Sequence, residues 1–148
     1  MAAYLSTELG GSANQTAAPT GYRPKATVYG ARVKRLRASF TLNAQATSDT
    51  LVVGNRPPGS VFAGIELTSS ASLATSTLAI GTAANTGKYR PAAVFTTADT
   101  PTLVGTAALL AESDAGLAAE EQIICTIAVA SLPASGTLVV DFYYSMPN

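Results

Sequence analysis

No histidine, no tryptophan and one cysteine among 148 residues, with nine basic side chains balancing nine acidic ones, remove most routes to a reactive site. There is no Ser-His-Asp or Cys-His arrangement to assemble, no intrachain disulfide to close, and no excess of positive charge to hold a polyanion. Charged residues make up only 12% of the chain, and so weakly charged a surface, rich in Ala and Thr, suits coverage by neighbouring subunits, the alternative being a neutral monomer with its hydroxyls outward.

The first 25 residues stand apart from the rest. Gly10, Gly11, Ser12, Asn14, Pro19, Gly21 and Pro24 break any period, while Tyr4, Leu5 and Leu9 supply sparse apolar anchors. Such a leader is either an extended arm that orders against a partner or a disordered tail. It has neither the basic start nor the apolar stretch of a signal peptide. No window of the chain approaches the ~18 consecutive apolar residues of a membrane span, so a soluble protein with no membrane contact is expected.

From Thr27 onward apolar residues recur with a period near two, the mark of half-buried strands. Over 33–44 the even positions Leu36, Ala38, Phe40, Leu42 and Ala44 form a core face, and the odd positions Arg35, Arg37, Ser39, Thr41 and Asn43 form a wet one. A short strand, Leu51-Val52-Val53, is expected to close at Gly54, with Asn55-Arg56-Pro57-Pro58-Gly59 as a rigid turn. The next strand, 61–67, places Val61, Ala63, Ile65 and Leu67 on one face. Ser69 to Ser72 turn the chain, and Ser76 to Ile80 make another short strand ending at Gly81.

After a polar loop over 82–88, Tyr89 to Thr97 reads as a strand whose Pro91 confines it to an edge or a bulge. Asp99-Thr100-Pro101 is a turn. Between 103 and 121 the pattern is ambiguous: Ala107 to Glu112 suits one helical turn or two, with Gly116 interrupting. Glu120 to Ala130 and Thr137 to Tyr144 are the last two strands. The turn Leu132-Pro133-Ala134-Ser135-Gly136 between them is expected to reverse the chain and set their register, with Gly136 at a positive φ. Seven or eight strands with closely spaced turn signals describe an all-β domain over 26–148. A two-sheet sandwich, a jelly roll or a small barrel fits, with an extended N-terminal arm over 1–25.

Candidate chemistry is sparse. The carboxylates match no calcium loop, although oxygen ligands gathered across loops or subunits would suit that metal. Glu120 and Glu121 are adjacent on a strand and point to opposite faces, so they read as solvated charges rather than an acid–base pair. Cys125, between Ile123 and Ile127 on one face, reads as a small buried hydrophobe. No catalytic residue, cofactor or metal site is assigned, and the chain is not expected to be an enzyme.

Six of the nine basic residues fall at Arg23, Lys25, Arg32, Lys34, Arg35 and Arg37, and four of the nine acidic ones at Glu112, Asp114, Glu120 and Glu121. The basic run has no interleaved aromatics for base stacking, so nucleic acid is not the expected partner. Two readings of the asymmetry stay open. One is electrostatic matching between subunits; the other is cross-strand pairing inside one subunit, as between Asp141 and Arg35 or Arg37.

Several stretches resemble small structural proteins of tailed-bacteriophage heads. They are Gly-Ala-Arg-Val-Lys-Arg-Leu-Arg-Ala-Ser at 30–39, Asp-Thr-Leu-Val-Val-Gly at 49–54 and Pro-Pro-Gly-Ser-Val-Phe at 57–62. Ser-Thr-Leu-Ala-Ile-Gly at 76–81, Lys-Tyr-Arg-Pro-Ala-Ala at 88–93 and Ala-Ser-Leu-Pro-Ala-Ser-Gly-Thr-Leu at 130–138 extend the resemblance over roughly 26–146. It implies a capsid decoration (cement) protein, usually trimeric, seated on the shell of the major capsid protein. It also implies a place on the capsid surface of the virion after assembly in the host cytoplasm. An N-terminal arm often contacts the capsid in such proteins, and residues 1–25 would fill that part. Candidate capsid or subunit contacts are then Tyr4, Leu5, Leu9, Arg23, Lys25, Arg35 and Arg37. A head fibre or tail component binding a receptor or glycan is the alternative, with Tyr89, Tyr143 and Tyr144 as its candidate aromatics.

Overall fold

The computed structural model describes residues 31–111 and 115–146, so the leader over 1–25 lies outside the described residues. In chain order the elements are β1 (Arg32–Thr41), β2 (Thr50–Arg56), β3 (Val61–Ser69), β4 (Thr77–Gly81) and β5 (Arg90–Val94), then β6 (Thr102–Val104), α1 (Thr106–Ala111), β7 (Glu121–Ala128) and β8 (Thr137–Met146). They form two four-stranded sheets, ordered β1-β8-β3-β6 and β2-β7-β4-β5. All pairings between these strands are antiparallel.

The hydrogen-bonded pairs nest: β1 with β8, β2 with β7, β3 with β6 and β4 with β5. The chain is thus one long antiparallel ribbon, turned back at the loop between β4 and β5. It is rolled so that β3 also meets β8 and β4 also meets β7. Of the architectures that the strand count allows, this is the two-sheet jelly roll.

The core lies between the sheets and follows from alternation. On β1, Leu36, Ala38 and Phe40 pack against it, while Arg35, Arg37 and Ser39 are exposed, as the even–odd pattern predicts. Beyond the strand Leu42 is still buried, but Ala44, expected on the core face, is exposed because the chain turns there with a positive φ. β8 adds Leu138, Val140, Phe142 and Tyr144, and β7 adds Ile123, Cys125 and Ile127. At the centre the Phe62, Tyr89 and Phe142 rings meet with centroids 4.8–5.1 Å apart in tilted and edge-on contacts. Such pairs contribute about 0.5–1.5 kcal/mol each beyond the area they bury.

Burial pushes the Cys125 thiol up to about 12. It is therefore protonated and enclosed, and the native protein is expected to resist a thiol reagent until denatured. Fast labelling without denaturant would mean that β7 opens in the native state.

Three local expectations are corrected. Strict alternation would put Val61 and Ala63 inside, but the structure buries Phe62 there, followed by Ile65 and Leu67. The register on β8 slips between Phe62 and Gly64, so a bulge moves the inward face by one residue. Gly64 has a φ of +137°, a conformation that a side chain disfavours. β2 likewise does not close at Gly54. A bulge between Val52 and Gly54 lets the strand run on to Arg56, and the turn is confined to the residues after it.

Finally, β7 and β8 belong to different sheets, so the segment around Leu132–Gly136 crosses between sheets instead of closing a hairpin. The register of β8 is set by β1 and β3. The crossing is anchored by Leu132 N–H on Gln45 O at 3.0 Å, Ala44 N–H on Pro133 O at 3.0 Å and Leu42 N–H on Gly136 O at 2.9 Å. Two other expectations hold. Pro91 lies in β5, an outermost strand where a missing N–H is tolerated. The ambiguous stretch holds the six-residue α1, and the three-residue β6 runs into its start.

Candidate interaction surfaces

The two outward sheet faces differ in chemistry. Across the β1 sheet, Arg37, Asp141, Glu66 and Leu103 stand in one register row on four successive strands. Arg37 donates from Nε to Asp141 Oδ1 at 2.8 Å and from Nη2 to Oδ2 at 2.6 Å, a two-pronged pair. Arg35 Nε lies 3.7 Å from the same carboxylate. Asp141 is 2% exposed, covered by these side chains.

The hydrogen bond from Arg37 holds the Asp141 carboxyl below the usual carboxylate range. Burial opposes this, and the charges of Arg37 and Arg35 add to it. The same contact raises the Arg37 guanidinium. The sign follows from linkage. A carboxyl depressed in the folded state contributes fully above its unfolded value of about 4, and that contribution fades as pH falls through the folded value. Asp141→Asn is expected to flatten the acid limb of the stability curve below about pH 4. Urea unfolding at stepped pH checks it. An equal loss at every pH would show that the pair is not linked to protonation.

A second charged cluster surrounds a buried cation and reaches the surface at Lys88. Arg56 is 1% exposed and donates to Ser60 Oγ at 3.0 Å, Ser60 O at 2.8 Å and Tyr89 Oη at 2.7 Å. Its Nη1 lies 3.7 Å from Glu121 Oε1, which also accepts from the Tyr89 hydroxyl. Lys88 Nζ donates to Glu121 Oε2 at 2.6 Å. Glu121 is therefore no solvated charge, as alternation suggested, but the anion that ties β2, β7 and the entry to β5 together. Its neighbour Glu120 is exposed and accepts from Asn55 Nδ2 at 2.9 Å. At the edge of the β2 sheet, Arg90 satisfies carbonyls of Leu78, Ala93 and Val94.

The outward face of the β2 sheet carries no charge at its central positions. Thr50, Val52, Thr77, Ala79, Ile124, Thr126 and Val94 alternate with core residues there. Ala79 and Ile124 are buried although they lie outside the core cluster. The hydroxyls of Thr77 and Thr126 are covered and have no hydrogen-bond partner among the described residues. Apolar side chains are also presented at the β6 end, where Leu103 and Leu110 are exposed and α1 buries none of its residues. Among the described residues no three His, Cys, Asp or Glu side chains gather in a metal-holding group. No helix there is long and apolar enough to cross a membrane.

No protein-family model matches this chain, and no curated protein does. Solved structures do match. The fold is one found in phage capsids. A chain of the cyanophage Pam1 capsid asymmetric unit is similar with a TM-score of 0.54 at 20% identity, over 92% of this chain and 96% of that one. A chain from the capsid of Ralstonia phage GP4 gives 0.60 at 15% identity, over 79% and 86%. One from the acidic stable capsid structure of Helicobacter pylori bacteriophage KHP30 gives 0.57 at 11% identity, over 78% and 89%. At these identities the likeness is one of fold. It agrees with the resemblance to phage head proteins carried by the turn and strand signatures over 26–146.

The candidate contacts separate accordingly. Tyr4, Leu5, Leu9, Arg23 and Lys25 lie outside the described residues. Arg35 and Arg37 are brought together on the outer face of β1, where cross-strand pairing with Asp141 occupies them. Of the aromatics that a glycan site would use, Tyr89 and Tyr144 are core residues and Tyr143 is half-buried. Sequence periodicity missed Arg56 and Glu121 altogether, since one sits beside prolines that signal a turn and the other beside an exposed glutamate.

Proposed function

We propose that this chain is a decoration (cement) protein of a phage head. It would be a homotrimer that binds the major capsid protein on the virion surface and holds the shell against the pressure of packaged DNA. The nested jelly roll, shared in fold with chains from three phage capsids, is the observation that carries this reading. Fold alone does not fix function, and the chemistry of the surfaces adds the second support. A weakly charged domain with one uncharged sheet face and one charged face has broad surfaces to act with. The role is mechanical, with no catalysis and no cofactor, and it engages neither nucleic acid nor membrane.

A subunit that buries area on two capsid subunits at once stabilises their junction. Apolar burial is worth about 25 cal/mol per Å2, and the loss of free motion on docking offsets part of each term. Repeated over many identical sites, a modest surplus per site is enough to stiffen a shell.

The leader is the proposed capsid contact, through Tyr4, Leu5, Leu9, Arg23 and Lys25. A shortened chain beginning at Ala26 is expected to keep its circular dichroism spectrum and melting curve while losing most of its binding to undecorated heads. Equal occupancy of the heads by both chains would remove the leader from docking. Loss of folding in the shorter chain would make it part of the core.

A further inference from the structure

β1 and β6 are the two outermost strands of the same sheet, and their chemistry is opposite. β1 presents Arg32, Lys34, Arg35 and Arg37, against which Asp141 supplies one carboxylate. Four cations less one anion leave +3 at that edge (4 − 1). The stretch from Ala98 to Ala111, which contains β6 and α1, holds no basic residue. Asp99 precedes β6, and Glu66 pairs with Leu103 from the neighbouring strand, so this edge carries two anions.

Each edge also exposes one large aliphatic side chain on the outer face: Val33 at 64% on β1 and Leu103 at 62% on β6. Beyond Leu103, Leu110 on α1 is 90% exposed.

We propose that copies of this chain join head to tail, the β1 edge of one seated against the β6–α1 edge of the next. The occupant is a second copy because each edge supplies what the other lacks. Pairing β1 with β1 sets cation against cation, and pairing β6 with β6 sets anion against anion. Only the unlike pairing matches charge while covering Val33 and Leu103. A joint between two different patches is heterologous, and it closes into a ring when the rotation per copy allows. This inference rests on the proposed oligomeric reading and names the surface that makes it.

The test uses the full-length chain. Both aliphatic positions are exposed, so Val33→Asp and Leu103→Lys should leave the circular dichroism spectrum unchanged. Each puts the wrong sign into the joint. In sedimentation at micromolar concentration the wild type is expected at three chain masses and each variant alone at one. An equimolar mixture is expected to associate again, because the intact β1 edge of the Leu103→Lys chain fits the intact β6 edge of the Val33→Asp chain.

Variants that keep the wild-type mass, or a mixture that stays monomeric, would overturn the joint. So would a monomeric wild type, including one whose edge variants lose head binding, since the edges would then face the capsid. Head binding is read separately. A ring that the variants break but that never binds heads would contradict the decoration role and leave the joint standing.

Discussion

Glu121→Ala should lower the unfolding free energy by about 3 kcal/mol, the scale for removing one partner of a buried ion pair. The carboxylate accepts from Lys88 and from the Tyr89 hydroxyl, and it faces Arg56, which is 1% exposed. Removing it takes a carboxylate from beside the buried Arg56 guanidinium and from Lys88, and the acceptor from the Tyr89 hydroxyl. For a domain of this size the midpoint of thermal unfolding should fall by roughly 10 °C.

A double variant, Arg56→Met with Glu121→Leu, isolates the cause. It removes both charges together and fills the space with apolar side chains, which in buried pairs is often close to neutral. The two changes should therefore cost much less together than the sum of their separate effects. Strict additivity, or a loss below about 1 kcal/mol for Glu121→Ala, would reduce the cluster to a surface ion pair.

Gly136→Val is expected to cost about 2–3 kcal/mol. Gly136 has a φ of +122°, which a β-branched residue resists. A Cβ there would stand 3.0 Å from Ser70 Oγ and 3.3 Å from both Ala71 Cβ and Leu42 Cδ1. Those neighbours have little room to yield. Ser70 Oγ accepts the Thr137 N–H at 2.8 Å, and Leu42 is a core residue. The strain falls where the chain enters β8, the strand paired on both sides by β1 and β3. A thermal melt reads the effect directly, and an unchanged midpoint would show that the crossing does not need glycine.

What was legible in the sequence was local. Alternation on β1 and β7 was enough to place Leu36, Ala38, Phe40 and Cys125 on the core side, because every second residue of a half-buried strand must face inward. Alternation is silent about which strands pair. β1 and β8 are hydrogen-bonded across a separation of about a hundred residues, as at Arg37 and Asp141. A period of two looks the same whatever the partner. That is why the crossing at Leu132–Gly136 read as a hairpin, and why sandwich, jelly roll and barrel stayed open together.

The bulges were hidden for a related reason. One extra residue at Ala63 shifts the inward face to Phe62, and only Gly64 marks the spot. Arg56 and Glu121 were invisible as partners because their cluster gathers residues from three separate stretches of chain. The Arg37–Asp141 pair was legible, since opposite charges on outward positions of two strands are natural cross-strand partners.

The most direct test of the proposed role is cryo-electron microscopy of phage heads assembled without this protein and then incubated with it. The decoration reading predicts added density on the outer capsid surface, at repeated positions. A two-sheet jelly roll ordered β1-β8-β3-β6 and β2-β7-β4-β5 should fit it, in contact with the major capsid protein. Heads that stay bare under saturating protein, or density found only at a fibre or tail, would contradict it.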